Sequence, residues 1–444
     1  MIAALLLALA VQAQDTTRLT LQAAVDHALQ THPAVAAAQA AQDRSIADFN
    51  DARSRLLPDV SLDGALTRFQ KPMIVAPLHA LDLRTPPLFD NTPYQAGLSL
   101  NWTVLDFGKR SARIRTQRAL RDAAGDALTA TEQRLTAATV HAYLAALDTR
   151  QLLAAQDRLV SALSAAQSRT AQLEAQGKAA HVDVLRMNAQ LQSARADRIS
   201  AASRLDVAER QLAQLADVSF DAIHGAELIA IALVDTSAAA DTAVGVRAGL
   251  IAQAQHASSD VRQMEDQSQA ARAGVSAARA TWLPTVQMQG AYIDRGRWAG
   301  NYSAEWQVGV AMSYPVFTGG SRASAVQRAN ANARAAAEQV RVVQLDVERG
   351  VNQNLAALRE AHARVAALES AVAQSQEVER IEQLALEVGT VVQTDYLDAE
   401  AKLFSARASL IQARHAEIAA RVDLAGTLGE LSRGWLARNV ENLP

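Results

Sequence analysis

The sequence predicts a mainly α-helical chain with a smaller β part, built from one hairpin-plus-long-helix plan used twice in tandem. Three observations predict it. Hydrophobic residues make up 50% of the 444, yet aromatics only 4%, a balance that suits close-packed Ala-rich helices more than the layered core of a compact enzyme. Proline is absent between Pro93 and Pro284, and again between Pro315 and Pro444. Motifs recur at fixed offsets through both halves.

The N-terminus reads as an export signal, residues 1–13. Ile2 to Val11 is an unbroken apolar run that ends in Val11-Gln12-Ala13, a small-x-small pattern. About ten apolar residues are too few to cross a bilayer as a helix, which takes roughly 20, but they match the apolar core of a signal peptide. The usual basic stretch before it is missing, so the true start is expected upstream. With no Cys anywhere, disulfides, catalytic thiols and thiolate metal sites are excluded. A net charge of −3 and a pI near 6.3 give no electrostatic reason to expect nucleic acid.

The first repeat is expected over 14–216. Residues 22–54 are helical in composition, a strand pair follows at about 58–106, then a long helix at 109–176 and a return helix at 179–215. A linker at 217–241 leads into the second repeat, 242–431. There the plan returns: a helix at 243–281, a strand pair at about 284–317, a long helix at 321–388 and a return helix at 391–430, with a tail at 432–444. Proline costs a helix interior about 3 kcal/mol, so Pro-free stretches with one interior glycine each, Gly125 and Gly350, read as single rods. At 1.5 Å per residue each is roughly 100 Å long. Gly177 and Gly389 stand where such rods would cap and reverse.

The duplication is read from matched motifs. Leu57-Pro58-Asp59-Val60 corresponds to Leu283-Pro284-Thr285-Val286 at an offset of 226. Trp102 to Arg110 corresponds to Tyr314 to Arg322, and Gly177 with Asp183-Val184-Leu185 to Gly389 with Asp395-Tyr396-Leu397, both at 212. The change places a 14-residue excess between Pro58 and Leu100, rich in turn signals (Lys71-Pro72, Ala76-Pro77, Pro86-Pro87) and hence a surface loop.

Four segments alternate with period two. Ala96, Leu98, Leu100, Trp102 and Val104 interleave with Gln95, Gly97, Ser99, Asn101 and Thr103; Trp306, Val308, Val310, Met312 and Tyr314 interleave with Glu305, Gln307, Gly309, Ala311 and Ser313. Val60, Leu62 and Leu66, and Val286, Met288 and Tyr292, do the same. About ten residues is the length of a transmembrane β-strand. Trp102, Phe107, Tyr292, Trp298, Trp306, Tyr314 and Phe317 lie at or near these strands, as an interfacial belt requires. Two hairpins of a soluble sheet with one wet face give the same alternation. Four strands cannot close a barrel alone, and open edges in lipid leave backbone groups unpaired, so a membrane role demands oligomers: eight strands from two copies, twelve from three.

The ordered set of motifs resembles the TolC-type outer-membrane efflux duct family. It rests on Leu19-Thr20-Leu21-Gln22-Ala23-Ala24-Val25 with His32-Pro33, Leu57-Pro58 and Leu283-Pro284 at strand starts, and Asp106-Phe107-Gly108-Lys109-Arg110 and Thr318-Gly319-Gly320-Ser321-Arg322 between strand and helix. Val388-Gly389-Thr390, Asp395-Tyr396-Leu397-Asp398-Ala399 and Leu424-Ala425-Gly426-Thr427-Leu428-Gly429 complete it. The resemblance implies a homotrimer with a 12-stranded outer-membrane barrel on a periplasmic α-helical barrel. It also implies a role as exit duct of a tripartite efflux pump or type I secretion system, and docking to a periplasmic adaptor and an inner-membrane transporter. Residues 217–241 and the tail after Leu431 would form an equatorial belt. Asp395 and Asp398, three apart on one helix face, with Asp183 as the first-repeat equivalent of Asp395, would line the periplasmic entrance. Gly177, Lys178, Val388, Gly389 and Thr390 would be adaptor-contacting tips. Leu386 and Val391 stand where some members carry a Tyr and Arg latch, so closure must use other contacts.

Each of these residues has a plainer reading. Carboxylates in the first turns of a helix are favoured by its dipole, and glycines at reversals serve as caps. Lys109, Arg110 and Arg322, just past the strands, would either snorkel to lipid headgroups or cap strand ends. No HExxH, GxSxG, P-loop or dinucleotide fingerprint is present, so no enzyme, metal or cofactor is expected. An exported structural coiled-coil envelope protein that transports nothing accounts for the rods and the signal, but not for duplicated alternating strands.

Overall fold

The computed structural model describes residues 18–75, 84, 89–234, 244–297, 300–388, 390–391 and 393–443. The export signal, the two Pro pairs of the surface loop at 76–77 and 86–87, Trp298 and Gly389 lie outside them. The first repeat holds β1 (Arg18–Leu19), α1 (Leu21–Thr31), α2 (Pro33–Ser54), β2 (Asp59–Leu66), β3 (Met73–Ile74), β4 (Phe89–Asp90), β5 (Pro93–Leu105), α3 (Lys109–Ala175) and α4 (His181–Ala216). Then come α5 (Phe220–His224), β6 (Glu227–Leu228) and β7 (Ile231–Leu233). The second holds α6 (Val244–Ala257), α7 (Ser259–Ala280), β8 (Thr285–Arg297), β9 (Gly300–Ser313), α8 (Ser321–Glu387) and α9 (Gln393–Thr427), followed by α10 (Arg433–Asn439) and β10 (Val440–Asn442).

The repeats agree at element ends. α3 and α8 are 67 residues each and start and stop 212 apart. α2 and α7 are 22 residues each and start and stop 226 apart. The opening segments, read as single helices over 22–54 and 243–281, are each broken in two, at His32 and at the equivalent Ser258. Pro33 removes a donor and explains the first break. The second has no proline, so the break belongs to the fold and not to one residue. The surface loop also carries a short antiparallel ribbon, Met73–Ile74 against Phe89–Asp90.

The described chain packs as two compact units. One comprises residues up to 39, 128–261 and 344–444; the other 40–127 and 262–343. In the first, the core gathers at the middle of α3, where Val140, Tyr143 and Leu147 meet Leu21 and Val25 of α1, Leu212 of α4, Ile418 and Val422 of α9, and Trp435 and Leu436 of α10. The linker and tail close this waist. β1 pairs in parallel with β6 and β10 antiparallel with β7. The Tyr143 hydroxyl lies 2.8 Å from the carbonyls of both Leu19 and Ile229, so one buried phenol ties α3 to two segments of the girdle, and burial pushes its pKa up. Glu209 of α4 is buried with its charge met: Arg150 of α3 donates to it at 2.7 Å and His224 of α5 pairs with it at 2.7 Å. Arg150 also donates to the carbonyls of Ala226 and Ile223.

From that waist toward the helix hairpin ends, side-chain pairs join four helices of the same unit in the order α4, α3, α9, α8. Arg198 of α4 pairs with Asp157 of α3. On α3 and α9, residues 141, 148 and 158 meet 423, 415 and 404: His141–Asp423 at 2.7 Å, Asp148–His415 at 2.5 Å and Arg158 over the Phe404 ring at 5.8 Å. The falling and rising numbers mark an antiparallel seam in register. α8 joins α9 through His362–Glu417 at 2.9 Å and Arg414–Glu369 at 2.9 Å. The two edge helices keep large apolar side chains exposed: Leu185, Ile199 and Val207 on α4, Val378, Ile381 and Leu384 on α8.

In the second unit a four-stranded antiparallel sheet runs β2–β5–β8–β9. One rung reads Leu62–Leu98–Tyr292–Trp306, the next Val60–Leu100–Gly290–Val308, then Trp102–Met288–Val310 and Leu105–Val286–Met312. A bulge between Thr103 and Leu105 puts Leu105 on the Val286 rung. The alternate rungs read Ser61–Ser99–Ala291–Gln307, Asp59–Asn101–Gln289–Gly309 and Thr103–Gln287–Ala311. One face is therefore apolar and the other polar or small.

Candidate functional site

The apolar face decides between the two readings of the strands. A soluble sheet with one wet face turns its apolar side to a core. Here that side is open: Leu62 is 78% exposed, Trp306 77% and Met312 71%. Val60, Leu98, Val308 and Val310 are exposed beside them. Taking each large side chain out of water is worth roughly 1.5–3 kcal/mol, so a contiguous face of this size belongs in lipid. Of the seven aromatics expected at the interface, Trp298 lies outside the described residues and the other six, Trp102, Phe107, Tyr292, Trp306, Tyr314 and Phe317, are exposed. Trp306 and Tyr314 are eight residues apart on one strand and its extension, roughly 20 Å for a tilted strand, close to the height of an outer-membrane barrel's apolar band. No helix among the described residues is long and apolar enough to cross a membrane.

Both strand-to-helix junctions use two successive left-handed residues, Phe107 and Gly108 in the first repeat, Gly319 and Gly320 in the second. Asp106 then caps α3, accepting from the backbone N–H groups of Gly108 and Arg110 at 3.2 and 2.9 Å. The snorkelling alternative for Arg110 and Arg322 is overturned. Arg110 donates to the Asp106 carboxylate at 2.9 Å and to the carbonyls of Arg55 and Val104. Arg322 is buried, lies over the Trp282 and Tyr314 rings and bonds the Pro315 carbonyl. Both close the ends of strands; Lys109 alone of the three is exposed.

The hairpin tips hold the other expected residues. α3 ends in a Schellman turn: Gly177 at φ 70°, its N–H on the Glu174 carbonyl and that of Lys178 on the Leu173 carbonyl, both at 2.8 Å. Lys178 is exposed, and His181 closes the tip on the Glu174 carboxylate at 2.7 Å. In the second tip the Thr390 N–H reaches the Ala385 carbonyl at 2.9 Å and Val388 is exposed. Asp395 is exposed on the first turn of α9. Asp398 pairs with Lys402 at 2.6 Å and Asp183 with Arg186 at 3.4 Å, so Asp395 alone of the three carries a carboxylate without an ion pair among the described residues. Sequence reasoning missed Tyr396, which stands near Glu379 of α8; burial, then the charges of Glu400 and Glu379, push its pKa up.

The sequence model for outer membrane efflux proteins matches residues 24–217 and 250–430, one match per repeat and most of the chain. The chain belongs to the outer membrane efflux protein family. Its place is the bacterial outer membrane with a periplasmic extension, and it is a channel component rather than an enzyme. It is 26% identical to the outer membrane protein TolC of Vibrio cholerae over 428 residues, covering 92% of this chain and 90% of that one. Among solved structures it is similar in fold to the CmeC outer membrane channel of Campylobacter jejuni, with a TM-score of 0.78 and 15% identity over 94% of this chain and 88% of that one. It is likewise similar to VceC of Vibrio cholerae, with a TM-score of 0.74 and 19% identity over 92% and 96%. In an outer-membrane protein, lipid is the surrounding that an exposed apolar strand face suits.

Proposed function

We propose that the chain is the exit duct of a tripartite efflux pump or type I secretion system, acting as a homotrimer that docks a periplasmic adaptor and, through it, an inner-membrane transporter. The observation that carries this reading is a four-stranded sheet with a lipid-compatible face and two open edges, β2 and β9. Edges in hydrocarbon must be paired, and head-to-tail closure of identical chains pairs β2 of one with β9 of the next. Three chains then give twelve strands. The four joined helices have matching open edges, α4 and α8, each with an exposed apolar stripe. Light scattering on the detergent-extracted particle tests closure. A mass near three chains from the outer-membrane fraction supports the duct; a soluble monomer would return the chain to a scaffold role.

In this reading the entrance lies at the hairpin tips, with Asp395 the charged gate residue, Asp398 and Asp183 held by neighbouring cations, and Tyr396–Glu379 bracing α8 to α9 in place of the missing latch. The tips Gly177, Lys178, Val388, Gly389 and Thr390 meet the adaptor. A ring of carboxylates at a constriction attracts cations. The double variant Asp395→Asn, Asp398→Asn is therefore expected to raise single-channel conductance or relieve divalent-cation block, with Asp395→Asn alone giving most of the effect. Unchanged conductance and block in planar bilayers would remove both from the gate.

A further inference from the structure

The second unit holds a concentration of cations that the duct role leaves unused. From Lys109 to Arg121, α3 carries six Lys and Arg and no carboxylate. They sit in its N-terminal turns, where the helix dipole disfavours positive charge, and Arg115, Arg118 and Arg121 follow at like-charge i,i+3 spacing. The whole unit has 21 Lys and Arg against 15 Asp and Glu, in a chain whose net charge is −3. Three of these guanidinium groups converge. A cleft of about 430 Å³ between α3 and α7 is lined by Arg115, Arg118 and Arg272 with Gln269 and Ser276. Its one carboxylate, Asp122, is engaged by Arg121 at 2.6 Å. Arg115, Arg118 and Arg272 have no ion pair among the described residues. Arg118 rests instead over Phe49, whose nearly buried ring also lies under Arg53 and Arg121. Further along the helices Asp126 is paired with Arg262, and Asp266 is raised in pKa by burial and by Asp122, Asp126 and Glu265, so that acidic group does not serve the cleft.

We propose that this cleft is an anion site for a phosphate group. Guanidinium forks match phosphate oxygens bidentately, and three of them around one cleft suit a multiply charged phosphate better than a single carboxylate. Gln269 and Ser276 add neutral donors. The phosphate comes either from a soluble anion or from a lipid headgroup, because α3 starts four residues after the last strand residue, Leu105. The site does not depend on the duct reading.

Calorimetric titration of the detergent-solubilised full-length protein with inorganic pyrophosphate tests it. Saturable binding of about one pyrophosphate per chain is expected, weakened at least about tenfold in Arg115→Gln, Arg118→Gln, Arg272→Gln, as expected for lost charge-assisted bonds. Arg341→Gln, whose parent pairs with Glu338, should leave binding unchanged, and Arg272→Gln alone serves if the triple variant loses its helical circular dichroism. Repetition in phosphatidylglycerol nanodiscs separates the sources. Retained binding assigns the soluble anion; loss in the discs but not in detergent assigns the headgroup. Absence of saturable binding in detergent, or undiminished binding by the folded variants, overturns the proposal.

Discussion

Phe107 and Asp217 are the two non-glycine residues with positive φ among the described residues, at 50° and 54°. Each has a glycine as its partner 212 residues on, Gly319 and Gly429, and those partners are left-handed too. A left-handed L-residue carries roughly 1–2 kcal/mol of strain, and glycine gives back roughly 0.5–1 kcal/mol in unfolded-state entropy. Phe107→Gly should therefore stabilise by up to about 1 kcal/mol in urea midpoints. Asp217→Gly should gain less, because Asp tolerates that conformation better. Equal gains, or losses, would show that contacts outweigh the backbone here. Gly429 itself cannot be replaced in return: a Cβ there would lie 2.5 Å from the Ala257 carbonyl oxygen.

Between elements, the antiparallel α3–α9 seam has one rung, His141–Asp423, whose strength depends on protonation. A hydrogen bond to Asp423, aided by its charge, raises the His141 pKa against partial burial. A raised folded-state pKa means stability that is fully present below the unfolded value of about 6.5 and is lost as pH rises through the higher folded value. The thermal midpoint difference between wild type and His141→Asn should be largest near pH 5.5 and fade toward pH 9, by about that scale. A difference independent of pH would mean that the imidazole only packs. At this scale the sequence was legible where one local signal rules. Freedom from proline gave both 67-residue helices, and period two gave the strands. The break at Ser258 was not legible, because no residue there announces it. The two- and three-residue ribbons β1–β6 and β7–β10 pair over some two hundred positions and carry no local pattern. The roles of Arg110 and Arg322 turned on partners such as the Arg55 carbonyl and the Trp282 ring, which spacing alone does not bring near. Tyr143 did leave a trace, a lone aromatic in the middle of an Ala-rich rod.

For the whole molecule, closure rests on edges. If α4 of one chain seats against α8 of the next, a charge in either apolar stripe should break the ring without unfolding the protomer. Ile199→Glu and Val378→Glu are each expected to shift the light-scattering mass from three chains toward one at unchanged helical circular dichroism, since burying an unpaired charge costs several kcal/mol. A trimer retained in both would place the contact elsewhere. The proposed gate residues come only from the resemblance, since a carboxylate on a first helical turn looks alike at a constriction and in open solvent. The structure adds that one of the three, Asp395, keeps its charge unshared.

The open sheet has a bearing on how the chain is born. Its helices close their hydrogen bonds four residues away and need no neighbour to form. Its sheet cannot be finished by one polypeptide, and until it is finished an oily face and two bare strand edges stand in water, the surface from which aggregates seed. The newly exported chain is therefore a hazard in the compartment it crosses. Its safe passage is expected to turn on the hairpins being covered in transit, and on meeting its sisters at the membrane sooner than it meets strangers.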